Sequence, residues 1–245
     1  MSPDALSPTV KARGGKNVYG AAVGILMLQS RFPRIPGDVG NAATWPFPVL
    51  YKVVAEASPE RVVRQNAEGL ADAFMAAARE LVAMGADGIT TNCGFLSLFQ
   101  AELAEAAGVP VAASALMQVP WVQSLLPAGR RVGVLTISQS TLSDAHLSAA
   151  GVPAGTPVGG TEGGREFSRA ILGAEMELAV EMARAARVEA GHRLVAEPPD
   201  VGAIVLECTN MSPYSAALAD DLGLPVYDFY SFLTWFQAGL RPRRF

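Results

Sequence analysis

The chain has 245 residues, of which 50% are apolar and 17% are charged, and its formal net charge is −4. A chain of this length and composition can bury a substantial core, which excludes disorder as its default state. The acidic balance provides no basic surface for nucleic acid beyond a short C-terminal group, Arg241, Arg243 and Arg244. These features favour a small-molecule partner and exclude nucleic acid.

Residues 1–16 are polar and rich in Pro and Gly, and we predict that they form a loose tail. The apolar stretch that follows, residues 19–28, is too short for a bilayer span and lacks a cleavage-site pattern downstream. We therefore expect a cytoplasmic protein that does not bind membranes.

Short apolar runs alternate with helical segments, a pattern typical of parallel sheets covered by helices. A Ser-Pro-Glu start and a Gly stop predict one long helix over residues 58–84, and two prolines end a second over residues 166–195. The predicted strands are residues 21–28, 88–91, 109–113, 131–137, 202–206 and 225–227.

Two connections differ from ordinary loops. Residues 30–49 are too long and too rich in Pro and Gly for a simple link, so they form either a lid or substrate-binding loop or a tolerated surface insertion. Residues 159–164, GGTEGG, lack the spacing of a phosphate-binding loop and are predicted to be a flexible connection before a helix.

The two cysteines of the chain occupy the same point of a repeated pattern. Cys93 and Cys208 each follow an apolar run, and each is followed 15 residues later by the Gly of a Gly-x-Pro-Val sequence, Gly108 or Gly223. A second pair of matching sequences, VGIL from residue 23 and VGVL from residue 132, opens the two halves. The chain is therefore predicted to contain two similar βα units.

This repeat predicts an α/β fold of two pseudo-symmetric Rossmann-like domains with mainly parallel sheets. The first domain is predicted to comprise residues 17–118 plus 224–245, and the second residues 119–223. Ligands of open α/β sheets bind beyond the carboxyl ends of the strands, where both cysteines lie. We expect an interdomain cleft with one thiol on each wall.

Three other roles for the cysteines are weaker. A disulfide would leave no cleft between the two sulfurs and is rare in cytosolic proteins. A zinc site lacks ligands at the right spacing, so no metal is predicted. Burial as small apolar side chains is the usual role of a free cysteine, but the matched flanking sequences argue against it. Paired thiols instead suit a reaction that needs one acid and one base on opposite sides of a carbon.

From about residue 17 onward, the chain resembles the aspartate/glutamate racemase superfamily. The resemblance rests on Asn-Cys-Gly at 92–94, on Cys-Thr-Asn at 208–210 and on VGVLTIS at 132–138. This superfamily also includes hydantoin racemase, maleate isomerase and arylmalonate decarboxylase. Membership implies a two-domain fold, a site between the domains, no cofactor and commonly a homodimer.

The cysteine motifs depart from those of the amino-acid racemases, which typically show Cys-Asn-Thr and Cys-Thr-His. Gly94 follows the first cysteine here, and Asn210 replaces the histidine. These differences argue against strict glutamate specificity. The decarboxylase keeps only the second cysteine, so Cys93 argues against that branch.

A carbanion formed beside a carboxylate needs fixed donors to hold its charge. The strongest candidates are Asn92 and Thr209. Arg31 and Arg34 could clamp a distal carboxylate. The other candidates for binding the substrate are Gly94, Asn210, Ser30, Ser138 and Thr141.

Cys93 and Cys208 are the predicted catalytic residues, and the helices that follow them should favour their thiolates. Glu207 would raise the pKa of Cys208 if its side chain faced the cleft, although strand alternation allows it to point away. The leading hypothesis is a racemase or epimerase of an amino acid or related α-substituted acid. A maleate-isomerase-like cis–trans isomerase and a non-catalytic acid-binding protein remain the alternatives.

Overall fold

The computed structural model describes residues 12–162 and 165–245. Most of the predicted N-terminal tail and residues 163–164 of the predicted flexible connection lie outside these ranges. Within the described part of the chain, no helix is long and apolar enough to cross a membrane.

The first half is a parallel sheet with helices. Its strands are β1 (Val23–Leu28), β2 (Val49–Val54), β3 (Gly88–Thr91) and β4 (Val111–Ala112), in the order β2-β1-β3-β4. The helices between β2 and β5 in the chain are α1 (Pro59–Arg64), α2 (Ala71–Met84), α3 (Gln100–Ala107) and α4 (Val119–Leu125).

The second half repeats this arrangement. Its strands are β5 (Arg131–Thr136), β6 (Val158–Gly160), β7 (Val201–Leu206) and β8 (Val226–Tyr227), all parallel in the order β6-β5-β7-β8. The helices that follow β5 in the chain are α5 (Asp144–Ala149), α6 (Arg165–Leu172), α7 (Val180–Ala196), α8 (Ser215–Leu222) and α9 (Phe229–Leu240). The identical strand orders confirm the predicted pseudo-symmetric α/β fold.

The matched glycines of the two opening strands have the same role. A Cβ atom on Gly24 would lie 3.1 Å from Leu81 of α2, and a Cβ on Gly133 would lie 3.1 Å from Leu194 of α7. Contacts of this length are tighter than ordinary side-chain packing, so each glycine lets a helix lie close on its sheet. The Val-Gly sequence is therefore repeated because a helix packs closely on the opening strand in both halves.

Both long predicted helices are broken. The first is interrupted between α1 and α2, where Asn66 and Ala67 have φ angles of 52° and 54°. The second is interrupted between α6 and α7, where Ala174 has a φ of 51°. The first break frees α1 to contact α6 of the other half while α2 covers the first sheet. Such tertiary packing overrides the continuous helical pattern of the sequence.

Two strands were missing from the prediction. Strand β2 follows the Pro-rich loop, and β6 is a short Val-Gly-Gly segment that overlaps the start of the predicted flexible connection. The C-terminal segment, 224–245, is divided between the halves, because β8 pairs with β7 whereas α9 packs on the first sheet through Phe229, Phe232 and Leu233.

Candidate active site

The two cysteines lie at equivalent ends of equivalent strands. Cys93 follows β3 and caps the 3-10 helix Gly94–Phe99, which continues into α3. Cys208 follows β7 and precedes a turn that leads into α8. Because β3 and β7 occupy the same position in their sheets, the fold brings both thiols to the junction of the two halves, where they line one cavity.

The walls of this cavity come from both halves. Most of its lining is apolar: Phe32, Val63, Phe95, Ile137, Ile171 and Leu172. Among the described residues, the ionisable side chains in the lining are Arg34, Cys93, Glu207 and Cys208. The site is therefore a small apolar chamber with one cationic group, one carboxyl group and two thiols.

The loop at residues 30–49 forms part of the cavity wall. Its Arg34 lies 4.5 Å from the ring centroid of Phe32 and donates to Asp38 at 2.7 Å and to Ser30 Oγ at 2.9 Å. Asp38 also accepts the side-chain amide of Asn210 at 2.6 Å, and Asn210 Oδ1 accepts the thiol of Cys208 at 3.5 Å. A continuous set of polar contacts thus joins the loop of the first half to the thiol of the second.

Glu207 faces the cavity. Its Oε2 accepts the hydroxyl of Thr136 at 2.8 Å, whereas its buried Oε1 has no hydrogen-bond partner among the described residues. A Cβ atom built on Gly94 would lie only 2.1 Å from Oε1, so the missing side chain at 94 makes room for the carboxyl group. Burial raises the pKa of Glu207 to about 7, although hydrogen bonds from Thr136 and the Ile137 backbone oppose the rise.

Burial favours the neutral form of both thiols. Burial, followed by the charge of Glu207, raises the pKa of each thiol above its ordinary value. Backbone N–H groups of Phe95 and Asn210 act in the opposite direction on Cys93 and Cys208, respectively. The predicted help from the following helices is therefore present but is outweighed by burial.

A buried arginine lies behind Cys208. Arg187 of α7 is 1% exposed, and its guanidinium stands 3.4 Å from the ring centroid of Phe167 and 3.8 Å from that of Tyr214. One nitrogen donates to the Ala183 carbonyl, but Nε and Nη2 lack a well-formed hydrogen bond to any described residue. Burial lowers the pKa of Arg187 to about 10, and its positive charge lowers the pKa of Cys208.

The candidate binding residues fall into two groups. Asn92, Gly94 and Asn210 line the cavity, and Ser30 holds Arg34 beside it. Thr209 is buried and donates to the Asn92 carbonyl at 2.6 Å, and this hydrogen bond connects the two halves.

Three candidates lie outside the cavity lining. Ser138 and Thr141 line a neighbouring surface cleft. Arg31 is exposed and contacts Met176. Of the two loop arginines predicted to clamp a carboxylate, Arg34 lines the cavity.

No group of three or more His, Cys, Asp or Glu side chains is placed to hold a metal ion in residues 12–162 and 165–245.

The chain is similar in sequence to lyases and in fold to racemases. It is 28% identical over 228 residues to a dimethylsulfoniopropionate lyase of Durusdinium sp. clade D, a match that covers 86% of this chain and 72% of that protein. It is 29% identical over 227 residues to dimethylsulfoniopropionate lyase 5 of Emiliania huxleyi, covering 84% of this chain but only 43% of that longer protein. No family model matches the chain.

Among solved structures, the aspartate racemase of Picrophilus torridus superposes with a TM-score of 0.56 at 16% identity, covering 92% of this chain and 96% of that one. A sulfate-associated variant of arylmalonate decarboxylase superposes with a TM-score of 0.55 at 18% identity, covering 89% and 92% of the two chains. The chain has the aspartate/glutamate racemase fold. The fold expected from the paired cysteines is confirmed, and the similar proteins are enzymes.

Sequence reasoning missed Arg187 and left two features of this racemase-fold site open: which loop arginine turns inward, and which way Glu207 faces. Arg34 was weighed beside Arg31, but a loop without periodicity does not indicate which of two arginines turns inward. Arg187 carried a usable signal, because Ala183, Ala190 and Leu194 recur around it at helical spacing and mark a buried face.

The buried cation predicts a measurable effect on its neighbouring thiol. Arg187→Met should slow the alkylation of Cys208 by iodoacetamide a few-fold at a fixed pH near 8, because the variant loses a nearby positive charge that favours the thiolate. Peptide mass spectrometry would follow each cysteine separately. Arg193→Met, on the same helix but exposed, is the matched control. An equal rate in both variants would show that the charge of Arg187 does not act on Cys208.

Proposed function

We propose that the chain is an enzyme that removes the proton next to the carboxylate of a small acid, and that its reaction is β-elimination from a β-sulfonio carboxylate such as dimethylsulfoniopropionate. The observation that carries the proposal is the enclosed, largely apolar cavity that holds two thiols, one guanidinium and one carboxyl group. The similarity to dimethylsulfoniopropionate lyases over 84–86% of the chain supports the choice of substrate.

The charges of the cavity complement such a substrate. Arg34 can pair with the carboxylate, and Glu207 can lie beside the sulfonium. An ammonium group has three N–H donors, which need acceptors, whereas the methyl groups of a sulfonium need only apolar contact. The apolar wall formed by Phe32, Phe95 and Ile171 therefore suits a dimethylsulfonium group better than the ammonium of an amino acid.

The proposed reaction needs one base and conserves charge. A thiolate takes the proton from the carbon next to the carboxylate, the C–H electron pair forms the new C=C bond, and the C–S bond breaks with its pair on sulfur. Neutral dimethyl sulfide and acrylate leave, and one proton remains on the thiol. The sulfonium also supplies positive charge beside thiols whose pKa is raised by burial, so binding of substrate favours the thiolate.

Racemisation or epimerisation of an α-substituted acid is the second candidate. It is favoured by one specific observation: the thiols come from equivalent positions of the two halves and line the same cavity. A two-base inversion uses both thiols, whereas an elimination needs only one base.

Product analysis separates these candidates. The purified protein is incubated with dimethylsulfoniopropionate while headspace gas chromatography follows dimethyl sulfide and liquid chromatography follows acrylate. A parallel circular-dichroism panel of amino acids, hydantoins and hydroxy acids follows inversion, and maleate absorbance follows cis–trans isomerisation. Equimolar dimethyl sulfide and acrylate are expected. Loss of optical activity without either product would support the racemase instead, and binding without turnover would refute both.

The assignment of the carboxylate to Arg34 gives a further prediction. Arg34→Met should raise KM for dimethylsulfoniopropionate by about 10- to 100-fold, since a charge-assisted hydrogen bond contributes about 1.5–3 kcal/mol. Arg31→Met changes a neighbouring arginine of the same loop that is exposed, so its KM should stay at the parent value. Steady-state kinetics with a melting curve for each variant would test this. Equal KM values for the two variants would remove Arg34 from the binding site.

A further inference from the structure

Glu207 is a buried carboxyl group with one unpaired oxygen. The residue is 1% exposed, and the Thr136 hydroxyl donates to its Oε2, whereas its Oε1 has no hydrogen-bond partner among the described residues. Arg34, the guanidinium of the cavity lining, forms its salt bridge with Asp38 instead. Burying a carboxylate without a counter-ion is costly, so the cavity suits a ligand that brings a positive charge.

The other side-chain oxygens of the cavity lining already accept hydrogen bonds. Asn92 Oδ1 accepts the backbone N–H of Leu28 at 2.8 Å, and Asn210 Oδ1 accepts the thiol of Cys208 at 3.5 Å. Among the described lining residues, Glu207 Oε1 is the side-chain oxygen that accepts no hydrogen bond. A primary ammonium has three N–H donors to satisfy, whereas a sulfonium or a quaternary ammonium has none. The lining therefore suits a cation without N–H donors.

The walls that share the cavity with Glu207 are mostly apolar. Gly94 lies against the carboxyl group, and the next residue, Phe95, lines the cavity together with Ile137 and Ile171. The methyl groups of an onium ion share its positive charge, so they can contact these apolar side chains and a carboxylate oxygen at once. No polar hydrogen is left unpaired in such a complex.

We infer that Glu207 determines the specificity of the cavity and that the cavity binds β-onium carboxylates as a class, quaternary ammonium compounds as well as sulfonium compounds. The inference builds on the proposed substrate, a β-sulfonio carboxylate. A tertiary amine is a stronger base than a thioether and therefore a poorer leaving group. Trimethylammoniopropionate is then a ligand that binds at the substrate site without being cleaved, and it competes with dimethylsulfoniopropionate.

The affinity for an onium ion should depend on pH through Glu207. Burial raises the pKa of Glu207 to about 7, so the carboxylate forms as the pH rises through this value, and the cation should bind more tightly above it. Burial keeps the pKa of both thiols above the ordinary value, and guanidinium groups stay charged near neutral pH. The ionisable groups that border the carboxyl group are Cys93, Cys208 and Arg34 in the lining, Asp38 paired with Arg34, and Arg187 behind Cys208.

The test is isothermal titration calorimetry of the parent protein with three carboxylates: trimethylammoniopropionate, its uncharged isostere β-tert-butylpropionate, and the primary ammonium β-alanine. Near pH 8 the first should bind about 10- to 100-fold more tightly than the other two, since the attraction of a close charge pair is partly offset by desolvation of the cation. Its preference over the isostere should shrink as the pH falls through about 7. Trimethylammoniopropionate should also inhibit dimethyl sulfide release competitively, without releasing trimethylamine.

Variants assign this preference to one side chain. Glu207→Gln, which keeps the shape but cannot ionise, should bind trimethylammoniopropionate no more tightly than its isostere, whereas the exposed control Glu189→Gln should behave as the parent. Arg34→Met should weaken both ligands by the same factor. Because the positive charge is lost as the C–S bond breaks, Glu207 stabilises bound substrate more than the transition state. Glu207→Gln should therefore raise KM for dimethylsulfoniopropionate about tenfold without lowering kcat.

Equal affinity of the parent protein for trimethylammoniopropionate and its isostere would overturn the inference, and this result needs no variant. A preference that persists in a folded Glu207→Gln variant, as judged by its melting curve, would overturn the role of Glu207. The proposed elimination fails separately. Preferential binding of the onium compound without dimethyl sulfide release would refute the elimination and support the onium site, whereas dimethyl sulfide release without that preference would do the reverse.

Discussion

Replacing Cys93 or Cys208 by alanine is expected to reduce kcat/KM by at least 10²- to 10⁴-fold, the usual contribution of a general acid or base. The thiol that serves as the base accounts for the full loss in one variant. The other thiol adjoins the same small cavity and shares its electrostatic coupling to Glu207, so its removal also disturbs the reacting geometry. Dimethyl sulfide release and a melting curve would be measured for each variant.

Serine variants provide the matched control for shape, because a serine hydroxyl is close in size to a thiol but far less acidic. For the thiol that serves as the base, the serine variant should be as inactive as the alanine variant, because proton transfer is the role of that sulfur. For the other thiol, the serine variant should be more active than the alanine variant, because it keeps the shape of the cavity. A Cys93 or Cys208 variant that keeps the parent rate would return that cysteine to the role of a small buried apolar side chain.

The same variants distinguish elimination from two-base inversion. In D₂O, a two-thiol racemase places solvent deuterium in the inverted product from its first appearance, while the remaining substrate stays largely protiated. Either cysteine variant should then abolish inversion in both directions, although the surviving thiol can still exchange the α-proton of a single enantiomer. Elimination predicts instead that acrylate appears without any inverted product.

The symmetry of the site could be predicted from the sequence because matching residues of the two halves are separated by equal numbers of residues. Equal distances from Cys93 to Gly108 and from Cys208 to Gly223 mark equivalent strand, helix and turn lengths, and the two sheets have the same strand order. Both end glycines adopt the left-handed conformation, with φ angles of 64°. The end of a helix at such a glycine can be predicted from the sequence, because the conformation there depends mainly on adjacent residues.

The side chains that point into the cavity were harder to predict, because their directions depend on where the backbone turns at the ends of the strands. Glu207 still pairs with the Leu135 carbonyl, as a strand residue does, but the chain turns at Cys208 and the alternation of side chains ends there. Consequently, two consecutive residues line the same cavity. The inward position of Arg34 depends likewise on the contact between Asp38 and Asn210, which lie 172 residues apart in the sequence and belong to different halves.

Gly94→Ala is expected to be the most damaging single-methyl change in the site. Its Cβ would lie 2.1 Å from Glu207 Oε1 and 2.6 Å from the Glu207 backbone carbonyl, distances that no packed structure tolerates. Either the carboxyl group or the segment that carries Cys93 must move, and a displacement of about 1 Å at a reacting group costs about 10²-fold in rate. Overpacking should also destabilise the fold by about 1–3 kcal/mol. Dimethyl sulfide release and urea unfolding would measure the two effects.

The control is Gly239→Ala in α9, where the added Cβ would meet nothing within 4 Å. It should leave activity unchanged and stabilise the helix by about 0.5–1 kcal/mol, the usual gain from replacing a helical glycine. Combining Gly94→Ala with Glu207→Ala should cost less stability than the sum of the single changes, because the shorter side chain removes the closest of the two contacts while the backbone contact remains. Parent-like activity and stability in Gly94→Ala, or strict additivity in the double variant, would mean that the Glu207 carboxyl group does not lie against Gly94.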